Sequence, residues 1–171
     1  MNKLITEKKI LLLGSSAVGK TTTFKSILGE LLDVSYRPSL SVNVGYKIFE
    51  MHGKQVGLRI WDLGGQLLHR QVWKNYYANT EGCLLMYDIT RKSTFTEIRN
   101  WKREMSMNLK KKIPIILVGN KCDLESQRQV SFEEGNALKK KVRAIAFFET
   151  SALYKINLNE VVELLLASMF N

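Results

Sequence analysis

The chain is short of the residues that staple, ligate or span. Its 171 residues include two cysteines, two histidines and two prolines. Two cysteines cannot build a disulfide framework, which points to a reducing, cytoplasmic compartment. Cys83 opens an apolar run and Cys122 follows a polar pair, and both read as packing residues. His52 and His69 stand without the companions a metal centre needs, so they read as surface residues of a turn and a loop. No apolar run approaches the ~20 residues of a membrane-spanning helix, and Met1 to Lys9 is too short and too polar for a secretory signal. There is no internal repeat, no low-complexity tract and no linker rich in proline, glycine or serine. One continuous domain over residues 1–171 follows, in agreement with the length.

Acidic residues are also scarce relative to basic ones. Sixteen Asp and Glu face 26 Lys and Arg, giving a formal charge of +10 and a pI near 9.6. Such a charge suggests a polyanionic partner. Two lysine runs have a local explanation, because Lys110 to Lys112 and Lys139 to Lys141 fall at expected helix C-termini, where the macrodipole favours cations. No helix-turn-helix, zinc or RNP-type signature accompanies the charge, so nucleic acid is disfavoured, and an anionic membrane or an acidic protein is the better recipient. Position 2 is Asn rather than the glycine that myristoylation needs, and Asn171 follows no cysteine for prenylation. The expectation is a monomer that touches membranes weakly and peripherally, without a lipid anchor.

What is present is a set of four short motifs, each after an apolar run. Gly14-Ser15-Ser16-Ala17-Val18-Gly19-Lys20-Thr21 follows Ile10 to Leu13 and precedes a helical pattern. A glycine, four residues and glycine-lysine-threonine form a phosphate cradle: backbone N–H groups close on the phosphates, Lys20 reaches their terminal oxygens, and Thr21 offers a hydroxyl to magnesium. Trp61-Asp62-Leu63-Gly64-Gly65-Gln66 ends an alternating strand. There Asp62 can hold magnesium through water, Gly65 can offer an N–H to a γ-phosphate, and Gln66 can orient water. Asn120-Lys121-Cys122-Asp123 follows another strand, and the Asp123 carboxylate can accept both N1–H and N2–H of guanine. Adenine lacks that pair. Glu149-Thr150-Ser151-Ala152 follows the last strand, where an N–H near Ala152 can reach the guanine O6. Four motifs at successive strand ends describe one crevice in an open α/β sheet.

The periodicity predicts strands near 8–13, 43–51, 55–62, 83–89, 113–119 and 144–149, and helices near 20–31, 67–78, 93–109, 131–142 and 157–169. The link Met51-His52-Gly53-Lys54 is a hairpin signal, so one antiparallel edge strand joins an otherwise parallel sheet. Ser131-Phe132-Glu133-Glu134 reads as a capping box.

With these motifs in this order, the chain resembles a small guanine-nucleotide-binding protein of the Ras superfamily over nearly its whole length. The first half is similar to Arf and Arf-like proteins: Gly19-Lys20-Thr21-Thr22, Pro38-Ser39 followed by Asn43-Val44, the Trp61 to Gln66 motif, and the stretch from Trp73 to Gly82. The second half is similar to Rab and Ras: Tyr87-Asp88-Ile89-Thr90, Ser93-Thr94-Phe95, Asn120 to Leu124, and Glu149 to Ala152. The resemblance implies an α/β P-loop NTPase G domain, with a six-stranded mixed sheet and about five helices on its two faces. It implies GTP or GDP held by residues 14–22, Ser39, Gly65, Asn120, Lys121, Asp123, Ser151, Ala152 and Leu153, with Mg2+ on Thr21, Ser39 and Asp62. Lys20 and Gln66 become the catalytic pair, and protein effectors, an exchange factor and a GTPase-activating protein are the expected partners.

Departures from the family pattern bear on behaviour. Ser39 stands where the family has a threonine and keeps its hydroxyl. Leu32 stands where Ras and Rab proteins stack an aromatic ring on the base, which implies faster exchange. Leu153 replaces the lysine of the usual Ser-Ala-Lys, and Ala17 replaces a glycine as Arf-like proteins also do. Trp61 and Tyr76 suit either core or, by analogy with Arf-like proteins, an apolar partner surface beside Val42. Two functions fit: a switch that hydrolyses GTP slowly, or a GTP-dependent interaction module with negligible turnover. An ATP-using kinase is disfavoured by Asp123.

Overall fold

The computed structural model describes residues 6–30, 42–64 and 73–170. Six strands form one sheet: β1 (Thr6–Leu13), β2 (Val42–Met51), β3 (Lys54–Leu63), β4 (Gly82–Asp88), β5 (Ile115–Asn120) and β6 (Ala146–Thr150). Their order across the sheet is β2-β3-β1-β4-β5-β6, antiparallel between β2 and β3 and parallel elsewhere. All six expected strands are present, within about two residues at each end.

β1 is apolar on both sides. Ile10 and Leu12 enter one core with Phe24, Ile27, Val161 and Leu165, while Leu11 and Leu13 enter the other with Trp101, Met105, Leu138 and Val142. That double burial is what an interior parallel strand requires. The helices divide accordingly: α1 (Lys20–Leu28) and α6 (Leu158–Ser168) cover one face, and α4 (Ile98–Asn108) and α5 (Phe132–Val142) cover the other. The short helices α2 (Trp73–Tyr77) and α3 (Lys92–Thr96) join the second face.

Two helical bounds and the placement of one lysine run need correction. The first helix stops at Leu28 rather than residue 31, because Gly29 turns left-handed at φ 81 and its N–H closes on Lys25 and Ser26 carbonyls. The helix expected over 93–109 is two helices, so the described residues hold six. Thr94 ties the first to the end of β4, accepting from the Asp88 N–H at 3.0 Å and donating to the Arg91 carbonyl at 2.8 Å. The second instead follows the core through Ile98, Trp101 and Met105. Of the helix expected over 67–78, residues 67–72 lie outside the described residues. Lys139 to Lys141 do occupy the last turn of α5, but Lys110 to Lys112 lie past the extended Leu109 that ends α4.

The hairpin is tight. His52 and Gly53 both have positive φ, 50 and 72, the signature of a two-residue turn matched to strand twist. Ser131 caps α5 as expected, accepting from the Glu134 N–H while the Glu134 carboxylate accepts from the Ser131 N–H.

Candidate functional site

Strand order reverses at β1, whose neighbours β3 and β4 are continued in opposite directions. A crevice at the carboxyl end of β1 is the consequence, and the first motif fills it. Gly14 leaves β1 with φ 148, and a Cβ there would meet the Met86 carbonyl at 2.2 Å. Gly19 begins α1 at φ 97, where a Cβ would lie 2.1 Å from Asn120 Nδ2. Ala17 takes a left-handed φ of 61, a conformation that L-residues adopt at some cost. Ser15, Ser16, Val18 and Thr22 complete the loop and the first turn; Trp101 Nε1 donates to Ser15 Oγ at 3.2 Å and Arg91 to the Ser16 carbonyl at 2.8 Å.

Lys20 is 5% exposed, and its ammonium donates to the carbonyls of Gly14 and Ser15, each at 2.8 Å. Burial lowers its pKa to about 8, against the pull of Asp62. The cation is thereby folded back into the loop that a phosphate would occupy.

Asp62, the penultimate residue of β3, is fully buried. Its Oδ2 accepts from the Thr21 hydroxyl at 2.6 Å and from Asn43 at 3.0 Å. Its Oδ1 is buried with no hydrogen-bond partner among the described residues. An orphaned carboxylate oxygen beside a threonine hydroxyl suits a hard cation such as magnesium, bound directly or through water. Ser39, Gly65 and Gln66, like Leu32, lie outside the described residues.

The base motif is joined to the cradle by one side chain. Asn120, 2% exposed, donates to the Val18 carbonyl at 2.9 Å. Its Oδ1 accepts from the Thr150 hydroxyl and from the Ala152 N–H, each at 3.0 Å. The Ala152 N–H, expected to reach a base oxygen, is therefore engaged with Asn120 in this structure. The Ala152 carbonyl accepts from Ser26 at 2.6 Å, which ties the last motif to α1. Asp123 lies in the first turn of an irregular 3-10 segment, Cys122–Gln127, and Leu153 is exposed. Ser151 is buried, its N–H and carbonyl closing a bridge with Ile156.

Sequence reasoning passed over Asp88 as a site residue. It is fully buried and meets the Lys121 ammonium at 2.7 Å, Arg91 at 3.1 Å, and the Thr90 N–H and hydroxyl. Burial pushes its carboxyl up, but the bonds from Lys121 and Thr90 outweigh it and hold the pKa below the usual value. Lys121, at φ 71, is thus held by Asp88, which in turn holds Arg91 against the cradle. The signal was the motif Tyr87-Asp88-Ile89-Thr90: a carboxylate at a strand end, two residues before a threonine able to bond it.

Trp61 and Tyr76 are half-buried, their rings 6.0 Å apart. Lys9 holds them, its ammonium 4.2 Å from the Trp61 ring and donating to the Tyr76 carbonyl at 2.6 Å. On the outer side of β2, Val44, Tyr46 and Ile48 are exposed.

Residues 9–171 match the family model described as the Ras family. The chain is 38% identical over 95% of its length to Ras-related protein RABA5b of Arabidopsis thaliana, covering 75% of that protein. It is 36% identical over 89% of its length to GTP-binding protein ypt2 of Schizosaccharomyces pombe, covering 76%. To GTP-binding protein Rab-3D of Rattus norvegicus it is 40% identical over 91% of its length, covering 70%. These relatives agree with the Rab and Ras resemblance of the second half; the Arf resemblance of the first half draws no support from them.

Proposed function

Since the chain belongs to the Ras family, we propose that it is a guanine-nucleotide switch that binds GTP and GDP with Mg2+ and hydrolyses GTP slowly. The observation that carries this reading is the Asn120 side chain, which holds the phosphate cradle, the base motif and the last motif within single hydrogen bonds of one another. A nucleotide laid across that junction would place its phosphates over residues 14–22 and its base near Asp123. Residues 1–171 act as a single G domain in this reading.

Lys20 would exchange its two loop carbonyls for phosphate oxygens, turning a buried cation into a paired one. Asp62, Thr21 and Ser39 would hold the magnesium, which neutralises developing phosphate charge. Gln66 would orient the attacking water, as the corresponding glutamine does in Ras-type phosphoryl transfer. Effectors would dock on the outer face of β2, where Val44, Tyr46 and Ile48 are exposed beside Trp61, with residues 33–42 and 64–78 changing between nucleotide states. Exchange and activating proteins would set the state, and a role in membrane traffic fits the Rab-type relatives.

Single-turnover hydrolysis tests the reading, after chromatography of the nucleotide released by denaturation. Guanine nucleotide and measurable turnover with magnesium are expected, and Gln66→Leu should keep GTP binding while stimulated turnover falls by about 10²-fold or more. Bound GTP without turnover would make the chain an interaction module. Bound adenine nucleotide would overturn the assignment of Asp123.

A further inference from the structure

The candidate nucleotide residues cluster at the carboxyl ends of the strands, and the opposite end of the sheet carries a different surface. There the C-terminal halves of α4 and α5 run into loops at the amino ends of β5 and β6. The Ile145 N–H bonds the Ile115 carbonyl at 2.8 Å, and the Cys83 N–H bonds the Pro114 carbonyl at 3.1 Å. Residues 99–112 and 139–143 together hold ten Lys and Arg and one acid, Glu104. Lys110, Lys111, Lys112 and Arg143 are exposed, and none pairs with a carboxylate among the described residues. Between the two helices lies a basin of about 460 Å³, lined by Arg99, Lys102, Arg103, Lys141 and Val142.

Helix dipoles explain only part of this charge. They favour Lys139 to Lys141 in the last turn of α5. Arg99, however, sits in the first turn of α4, where the dipole opposes a cation, and Lys110 to Lys112 lie beyond its end. Two apolar side chains stand among the cations: Met107, 72% exposed, and Ile145, 46% exposed. Exposed apolar side chains within lysine- and arginine-rich segments match a bilayer interface, where the cations meet lipid headgroups and the apolar groups enter the acyl boundary. A single-stranded nucleic-acid surface would instead call for base-stacking rings, and Trp101, the aromatic residue of these segments, is buried; a duplex would make no use of the exposed Met107 and Ile145.

We propose that this end of the molecule is a docking face for membranes rich in anionic lipid, on which the chain sits with its nucleotide crevice turned away from the bilayer. The proposal stands on fold and charge and is independent of the nucleotide reading. Co-sedimentation with vesicles tests it, using phosphatidylcholine alone and phosphatidylcholine with about one-third phosphatidylserine. Binding is expected only to the mixed vesicles and should fall as salt is raised. At roughly fivefold per cation, Lys110→Gln/Lys111→Gln/Lys112→Gln should weaken it on the order of 100-fold. Met107→Ser, which changes no charge, should weaken it several-fold, and unchanged thermal melts would show that the variants fold. Lys54→Gln/Arg59→Gln/Lys92→Gln removes equal charge elsewhere and should leave most binding intact. Equal loss in that control, binding within twofold of wild type in the lysine variant, or an unaffected Met107→Ser protein displaced from vesicles by duplex RNA would each overturn the proposal.

Discussion

At the scale of single residues, two carboxylates have separate tasks. Under the proposed function Asp123 would choose the base, since it can accept two charge-assisted hydrogen bonds from guanine, each worth about 1.5–3 kcal/mol. Asp123→Asn should weaken GTP and favour xanthosine triphosphate, whose C2 carbonyl accepts from an amide; competition against a fluorescent nucleotide measures the switch. Asp88 works inside the protein. Its folded pKa lies below the unfolded value of 3.8, so the folded chain binds the proton less readily than the unfolded one. The stabilisation is present above about pH 4 and drains as pH falls through the folded value. Asp88→Asn should cost about 2–3 kcal/mol at pH 7, because charged hydrogen bonds to Lys121 and Arg91 are lost. It should also flatten the decline in stability as pH falls below about 4, because the folded-state Asp88 carboxyl is held below its usual value. Urea midpoints across that range decide it. Asp123 stands out in the sequence as a candidate base reader because of its neighbours Asn120 and Lys121; the task of Asp88 depends on chain crossings that bring residues 88, 91 and 121 together.

Among the elements, the β2–β3 hairpin sets how the two nucleotide states can differ. β3 lies on β1 through seven paired residues, Thr6 with Val56 to Leu12 with Asp62, and β2 lies against α1. A Cβ on Gly45 would fall 2.4 Å from Leu28 and 2.9 Å from Phe24. Sliding the hairpin two residues along β1 would bring Asn43 or Lys47 to that spot, where neither side chain fits, and would part Asp62 from Thr21. The hairpin should therefore keep one register with GDP and with a non-hydrolysable GTP analogue, unlike the two-residue shift of Arf proteins. Crystal structures of both states test this, and a displaced Gly45 in the GDP form would refute it. Strand positions were readable from sequence to about two residues because buried strands declare themselves by apolar runs. The break near Glu97 was not, since both halves of 92–108 are helical in pattern and only the tether of Thr94 to Asp88 and Arg91 separates them. Gly29 was readable as a stop and was overrun because the apolar pattern continues past it.

For the whole molecule, the cradle and the base motif behave as one body, so a ligand that spans both should stabilise the entire fold. At about 100 times its Kd a nucleotide adds about 2.7 kcal/mol, which raises the Tm of a chain this size by about 5–11 °C. GDP and GTP should produce that rise and ATP at the same concentration should not, as read by scanning fluorimetry; an equal rise with ATP would show that phosphate contacts alone decide binding. The four-motif order made the crevice legible from sequence, since each motif follows its own strand. The joint between motifs was hidden, because Asn120 reaches Val18 across 102 residues. That joint also limits how such a sequence can drift. Any side chain at position 19 meets Asn120 Nδ2, and a change at 120 strands both Thr150 and the Ala152 N–H. Gly19 and Asn120 are therefore fixed in each other's presence, and position 150 can change only to another hydroxyl-bearing residue without leaving the Asn120 amide oxygen short of a donor.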